Sequence, residues 1–387
     1  MKKTFIGNPV VGVPSGRYSL CRVHGQTMKY AARRHLAGFT GACALGAAVL
    51  LTVVPAGFLP TPAFAGAGVA GADIFKVPIE ARGWGMGAYS AIADDVGAIA
   101  YNPAGLGGSG TREVQLTYLN IIETTSVFSI LGAYPLSRWG TLGGMFLYRS
   151  VPTIANFGVE NRPLAGMTSV EVSDIAFGLY TSFKFSHLLP GVRLVTPLTF
   201  GLGIKRATMS IANFSASVTA IDFGFQYSLD LFRFGWVFQN LGGGYTYPGT
   251  IEAEADPLPT TMRLSTAFMA YEDSASSLVL AVEDSSYIGV SNKQKFGDTV
   301  RTAREYLNLA SIGIEYWRLK KMGVRMGYVQ PWGTGSREYT GGRGLAFGVS
   351  FRLFADYLAY QIDIAYRPLA MGSQREDAGT VSLSIRF

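Results

Sequence analysis

The sequence predicts an all-β protein: about fourteen antiparallel strands closed into a transmembrane β-barrel, with an N-terminal hatch inside the lumen. Three observations lead there. Apolar and polar residues alternate with a period of two in many separated segments. Charged residues make up only 15% of the chain against 48% hydrophobic, with 24 Phe and 20 Tyr. An export-type leader precedes the strands.

The leader is expected to span residues 1–65. Lys29, Arg33 and Arg34 form its basic region, residues 36–54 are apolar and small, and Ala63-Phe64-Ala65 places small residues at the cleavage positions, so Gly66 begins the mature chain. Either Met1 or Met28 suits as its start. A lipidated Cys43 fits less well, because most of the apolar run follows it. Of the 33 Lys and Arg, seven fall in the leader, which carries no acid, so 26 basic and 26 acidic side chains remain beyond it. The formal charge of +7 therefore belongs to the leader, and the electrostatic case for a nucleic-acid partner goes with it. Cys21, Cys43, His24 and His35 also lie there. The mature chain thus has no thiol for a disulfide, a metal site or a nucleophile, and neither metal nor cofactor is expected. A catalytic triad would rest on His187 alone, in Ser186-His187-Leu188-Leu189-Pro190 at a strand end, so no enzyme is expected.

Residues 66–110 lack the alternation and are rich in Gly and Ala. A segment of that composition ahead of the first strand suits a plug, where backbone packs closely against backbone. Gly83, Gly85 and Gly87 lack the spacing and the preceding strand of a nucleotide loop. Asp94 and Asp95 are acceptable cation ligands, but adjacent Asp residues in such a segment more often cap helices or turns. Asn102-Pro103 reads as a rigid corner.

Residues 111–387 form the barrel. The last strand alternates Val381, Leu383, Ile385 and Phe387 with Ser382, Ser384 and Arg386. Upstream, Leu345, Phe347, Val349, Phe351 and Leu353 face away from Ser350 and Arg352, and Ile362 and Ile364 away from Gln361 and Asp363. Charges cost a few kcal/mol in lipid, so the polar set points to the lumen. About fourteen such segments run from one centred near Gln115 to one near Leu383, and an even count permits antiparallel closure. By the same parity Lys205, Arg233, Arg263, Arg325 and Arg352 point inward, where a cation suits a ligand carboxylate. The longest polar stretches, 152–168 and 284–304, are expected to be extracellular loops. Trp317, Trp332, Tyr306 and Tyr339, near segment ends, suit the interfacial girdles.

The stretch Met86-Gly87-Ala88-Tyr89, Ala93-Asp94-Asp95 and Tyr101-Asn102-Pro103-Ala104-Gly105-Leu106 resembles the hatch of FadL-type outer-membrane transporters and their PorV/PorQ relatives. Val237-Phe238-Gln239-Asn240-Leu241-Gly242, Leu258-Pro259-Thr260-Thr261-Met262-Arg263-Leu264, Gly313-Ile314-Glu315-Tyr316-Trp317 and Val324-Arg325-Met326-Gly327-Tyr328 follow in the order of the PorV/PorQ branch. The resemblance implies a fourteen-stranded barrel in the outer membrane, closed by a hatch in which Asn102, Pro103 and Ala104, with Gly85 and Gly87, hold position. It implies either passage of hydrophobic molecules such as long-chain fatty acids, or an accessory role in protein secretion and surface attachment. The implied partners are outer-membrane lipid, a hydrophobic ligand, the barrel assembly machinery reading Phe387, and in the second role secretion-system proteins.

Overall fold

The computed structural model describes residues 73–387, apart from residues 78, 122–124, 138–139, 156–168, 189–196, 212–213, 245–257, 289–291, 297–298, 304–307, 334–342, 356 and 372–373. The expected leader with its Cys and His residues, the first residues of the expected hatch, Tyr306 and Tyr339 lie outside the described residues.

The strands are β1 (Glu113–Ile121), β2 (Thr125–Pro135), β3 (Thr141–Ala155), β4 (Ser169–Lys184), β5 (Leu198–Ile211), β6 (Phe214–Ser228), β7 (Phe232–Gly242), β8 (Thr261–Glu272) and β9 (Ser276–Tyr287). They continue with β10 (Asn292–Phe296), β11 (Thr299–Ala303), β12 (Asn308–Arg318), β13 (Met322–Trp332), β14 (Gly344–Ala355), β15 (Leu358–Met371) and β16 (Gln374–Arg386). Fourteen of them close into one antiparallel barrel in chain order, with β9 beside β12, while β10 and β11 pair separately as a hairpin. Closure joins β1 to β16 in the register Gln115↔Ser384 and Leu116↔Leu383, and the Phe387 amide extends it by donating to the Arg112 carbonyl at 3.0 Å.

Side-chain parity separates two chemistries. On the outside Phe177 and Leu179 are 60% and 71% exposed, and the β14 residues Leu345 to Leu353 alternate outward in the same way. On the inside Ser350, Asp363, Ser382 and Asp222 are buried. An apolar exterior this continuous would associate in water, and lipid is the solvent that matches it. Tyr118, Tyr148, Tyr328 and Tyr366 stand outward toward one end of the barrel and Tyr134, Tyr271 and Tyr357 toward the other, as in interfacial girdles. Both ends of the sheet, Glu113 and Arg386, lie at the end where β6–β7, β8–β9 and β12–β13 turn within three residues each. The opposite end has turns as short, among them β5–β6 and β15–β16, but also the long connections β3–β4, β7–β8, β9–β12 and β13–β14, and because longer loops are extracellular in this class, that end is read as extracellular.

Two expectations change. Residues 152–155 belong to β3 and 284–287 to β9, while part of 292–303 forms the β10–β11 hairpin, so the two polar stretches are only partly loop. Trp317 is 7% exposed on the inner face rather than in a girdle. In β7 the alternation breaks, because a register shift against β6 between Ile221 and Phe223 accompanies Asn240 at φ 60°. Asparagine is the non-glycine residue best suited to that left-handed conformation. Its side chain is used too, Nδ2 donating to the Pro259 carbonyl at 2.9 Å.

Because Val349 faces lipid midway along β14, Val349→Arg is expected to lower folding stability in vesicles by about 2–4 kcal/mol. The neighbouring lumenal change Ser350→Ala should follow a different pattern, losing hydrogen bonds rather than lipid solvation. Urea titration of vesicle-inserted protein checks this, and equal stability of Val349→Arg and the parent would contradict the lipid-facing assignment.

Candidate functional site in the plugged lumen

Residues 73–110 sit inside the barrel. α1 (Ala81–Met86) begins at Glu80, whose carboxylate caps the Gly83 amide, and ends at Gly87, whose amide donates to the Gly83 carbonyl at φ 77°. That positive φ is the reason for glycine at 87. Gly85 serves a different need. A Cβ there would lie 3.1 Å from the Phe347 carbonyl and 3.2 Å from the Gly348 Cα, so α1 presses its backbone onto β14. The Ala81 amide also donates to Ser382 Oγ at 2.9 Å.

α2 (Ala98–Tyr101) runs into a 3₁₀ turn over Pro103–Gly108 through Asn102, which is fully buried. Asn102 Oδ1 accepts from the Ala104 amide at 3.1 Å, and its Nδ2 donates to the Ser90 and Phe225 carbonyls, each at 3.1 Å. One side chain thus caps the turn, ties it to the rest of the hatch and fastens both to β6. Pro103 occupies the first turn, where its missing amide costs nothing. Pro103 and Ala104 lie against Gly201 of β5, and Asn102 against Gly224 of β6, at distances that exclude a side chain on either glycine.

Arg82 is the electrostatic centre. Its guanidinium grips Glu315 of β12 through Nε at 2.9 Å and Nη2 at 2.7 Å. Its Nη1 donates to Asp94 at 3.0 Å, Asp95 at 2.9 Å and the Tyr89 hydroxyl at 3.1 Å. The acidic pair therefore holds an arginine. Asp95 also accepts from the Gly97 amide at 3.0 Å, so the turn role is present beside it. Sequence reasoning passed over Arg82, yet a signal existed, because it is the one Lys or Arg between Lys76 and Arg112. From Glu315 the chain of charges continues to Arg325 at 3.0 Å and from Arg325 to Asp363 at 3.0 Å.

The five inward cations are thereby accounted for. Lys205 pairs with Asp222 at 2.7 Å, Arg263 with Glu283 at 3.0 Å and Arg233 with Asp94 at 3.3 Å, while Arg325 bridges Glu315 and Asp363. Glu283 in turn accepts from the Ser90 amide at 2.9 Å, linking this pair to the hatch. Arg352 differs. Its partner is the neutral Gln361 oxygen at 2.7 Å, and its guanidinium lies 4.5 Å from the centre of the Trp317 ring. It faces a cavity of about 560 Å³ at the periplasmic mouth, shared with Arg82, Asp94, Arg233 and Glu315. His187 falls in the single turn α3 (Phe185–Leu188) between β4 and β5, and its side chain lies outside the described residues.

The inner face also carries an apolar patch, beside the Arg149–Asp174 and Lys205–Asp222 pairs. Leu119, Val127, Leu131, Leu147, Ala207 and Val218 are buried on the inner faces of β1–β3, β5 and β6. Facing this sector, Ile74, Phe75 and Ile79 of the hatch leave a gap of about 30 Å³. Such a gap approximates one water's share of liquid volume, far below the ~300–1,000 Å³ of a ligand pocket. Among the described residues the hatch fills this sector.

Titration reinforces the fastening. Burial raises the Asp94 carboxyl, but the Arg82 and Arg233 guanidiniums outweigh it and hold it below the ordinary value. Burial lowers Arg82, and Glu315, Tyr89 and Asp94 more than reverse that. Glu80 goes the other way: burial, with Asp95 and Asp363 adding repulsion, pushes its carboxyl up to about 8, against the pull of the Gly83 amide and Arg82.

No family model and no curated protein matches the sequence. Solved structures do resemble the fold. The TodX monoaromatic hydrocarbon channel, as its deltaS2 mutant, has a TM-score of 0.52 at 13% identity, with 80% of this chain and 98% of that one covered. Its deltaS2S3 mutant has a TM-score of 0.53 at 11% identity over 77% and 98%. A Pseudomonas aeruginosa FadL homologue has a TM-score of 0.45 at 13% identity over 80% and 98%. The chain thus shares the fold of the TodX channel, and with its apolar exterior it is an outer-membrane β-barrel.

Arg82→Ala would strand Asp95 and half of the charge on Glu315, so a loss of about 3–5 kcal/mol from hatch stability is expected. Arg82→Lys should recover little, because an ammonium cannot make the two-pronged grip. Protease protection of the hatch in the folded barrel measures both. For Glu80 the native state retains a proton that the unfolded chain releases above its ordinary value of 4.5. Hatch stability should therefore fall as pH rises from that value and level off above about 8. Glu80→Gln should flatten this profile, and an unchanged slope would contradict it.

Proposed function

We propose that this protein is a channel of the outer membrane for hydrophobic or amphipathic small molecules such as long-chain fatty acids. The observation that carries the reading is the apolar patch of the lumen that faces the hatch segment at Ile74, Phe75 and Ile79. Its residues on β1–β3, β5 and β6 offer an alkyl chain a surface on which it loses water, with the Arg149–Asp174 and Lys205–Asp222 pairs at the margin. The fold shared with a hydrocarbon channel supports the same class. A ligand enters from the extracellular end, lies along this patch, and advances when the hatch segment around Ile74, Phe75 and Ile79 gives way. Arg352, lacking a carboxylate partner among the described residues, is the inward cation best placed to meet a ligand carboxylate on the periplasmic side. In this reading residues 1–65 are the leader, 66–110 the hatch, 111–387 the barrel, and Phe387 the signal read by the assembly machinery.

A second reading has a specific support. The hatch is bound to the wall through Arg82, Asn102 and Glu283, which suits a barrel that stays shut and serves, as in PorV-like proteins, as a platform for secretion-system components. Crosslinking in the native membrane that recovers exported proteins, together with no uptake, would favour it.

Proteoliposomes carrying the barrel are expected to take up a long-chain fatty acid faster than empty liposomes. Leu147→Gln, which places an amide on the apolar patch, should slow uptake several-fold while the folded barrel is retained on a heat-modifiability gel. Equal uptake by protein-free and protein-bearing liposomes would end the channel reading.

A further inference from the structure

One cation faces the wrong solvent. Arg206 is the ninth of fourteen residues of β5 and points outward, exposed, between the buried Lys205 and Ala207. No carboxylate among the described residues pairs with it. Its place on the wall follows from register. Tyr118 is opposite Phe128, Phe128 opposite Tyr148, Tyr148 opposite Ile175, and Ile175 opposite Thr208. One outward step closer to the periplasm, the next row runs Phe146, Phe177, Arg206, Thr219. Arg206 therefore stands just beneath the row that carries two tyrosines of the extracellular girdle. Above it β5 and β6 turn polar, with Thr208 and Ser217 hydrogen-bonded to each other at 2.8 Å on the exterior. The arginine thus borders the polar end of the exterior on β5 and β6, at the margin of its apolar belt.

One outward row lower and two to three strands to the side, the wall is indented. Gly132 of β2 and Gly144 of β3 are register partners facing lipid, and a Cβ on either would meet nothing within 4 Å. Ile130 and Phe146 on one side and Leu179 and Ile204 on the other make this a groove of about 720 Å³, with Arg206 and Thr219 at its rim. The lining is apolar throughout except at that rim. A cation above a long apolar trough matches one chemistry: an anionic head joined to acyl chains.

The geometry points to a specific site for a phosphate-bearing membrane lipid of the outer leaflet, its chain laid over Gly132 and Gly144 and its phosphate capping Arg206 with help from the Thr219 hydroxyl. Guanidinium recognises phosphate through paired, charge-assisted hydrogen bonds. The site lies outside the lumen and is independent of what the channel carries.

Native mass spectrometry of the detergent-purified barrel tests it with three probes: dioleoyl phosphatidic acid, dioleoylglycerol and inorganic phosphate. One phosphatidic acid should stay bound per barrel, with dioleoylglycerol and phosphate each at least tenfold weaker. Arg206→Gln should lower phosphatidic acid retention at least tenfold by removing the charge. Gly132→Leu with Gly144→Leu should do the same by filling the trough while leaving the charge. Both variants change residues with open space outside, and fatty-acid uptake through the lumen should be unaltered by either. Equal retention of dioleoylglycerol, competition by phosphate as strong as by the lipid, or undiminished retention by Arg206→Gln would each overturn the site. If a variant fails to insert, a photoreactive phosphatidic acid on the parent protein decides instead, labelling β2–β5 if the site exists and labelling strands indiscriminately if it does not.

Discussion

Backbone amides and carbonyls in hydrocarbon have no water to turn to, so every strand edge within the membrane must be paired. The β1–β16 ladder is where this chain meets that demand. Pairing Glu113 with Arg386 and Gln115 with Ser384 removes the last two free edges, and the rest of the structure follows from it. A closed sheet has one face in lipid and one in the lumen, and a period of two delivers alternate residues to each. The inner face is then small, curved and screened from bulk water, so any charge on it must be paired inside the protein.

That second demand shapes the hatch. Glu315, Glu283 and Asp222 project from the wall into a space screened from bulk water, where an unpaired charge is costly. Arg82, Arg263 and Lys205 neutralise them, and amides of the hatch at Tyr89 and Ser90 complete the shell of Glu283. The hatch is thus held partly by being the counter-charge of the wall, rather than filling space alone. Close approach is the other condition, and the inward glycines at 201 and 224 supply it where Asn102, Pro103 and Ala104 meet β5 and β6.

The barrel was legible in the sequence because its signal is local. Alternation within ten residues reveals which of Ser382 or Leu383 faces lipid, and a strand count needs nothing more. The lumen was legible only in parity. That Arg325 points inward can be read off β13, but its link to Asp363 joins residues 38 apart, and Arg82 reaches Glu315 across 233 positions. Nothing in the spacing of those residues encodes the meeting. Trp317 shows the limit from the other side: its place at a strand end suggested an interface, while its parity with Glu315 already put it inside.

The distribution of contacts also decides where the plug can yield. Moving α1 would separate Arg82 from three carboxylates, and breaking even one buried pair costs about 3–5 kcal/mol because the abandoned charge has no water to replace its partner. Moving the corner at Asn102 would leave three buried hydrogen-bonding partners unmet, each costing about 1–3 kcal/mol. The segment around Ile74, Phe75 and Ile79 lies against Leu147, Met145 and Tyr180. An alkyl chain that displaced it from this surface would exchange one set of apolar contacts for another of similar area, with little net change in hydration. In the channel reading the hatch therefore yields most readily at this segment, where an alkyl chain can take over the apolar contacts it leaves.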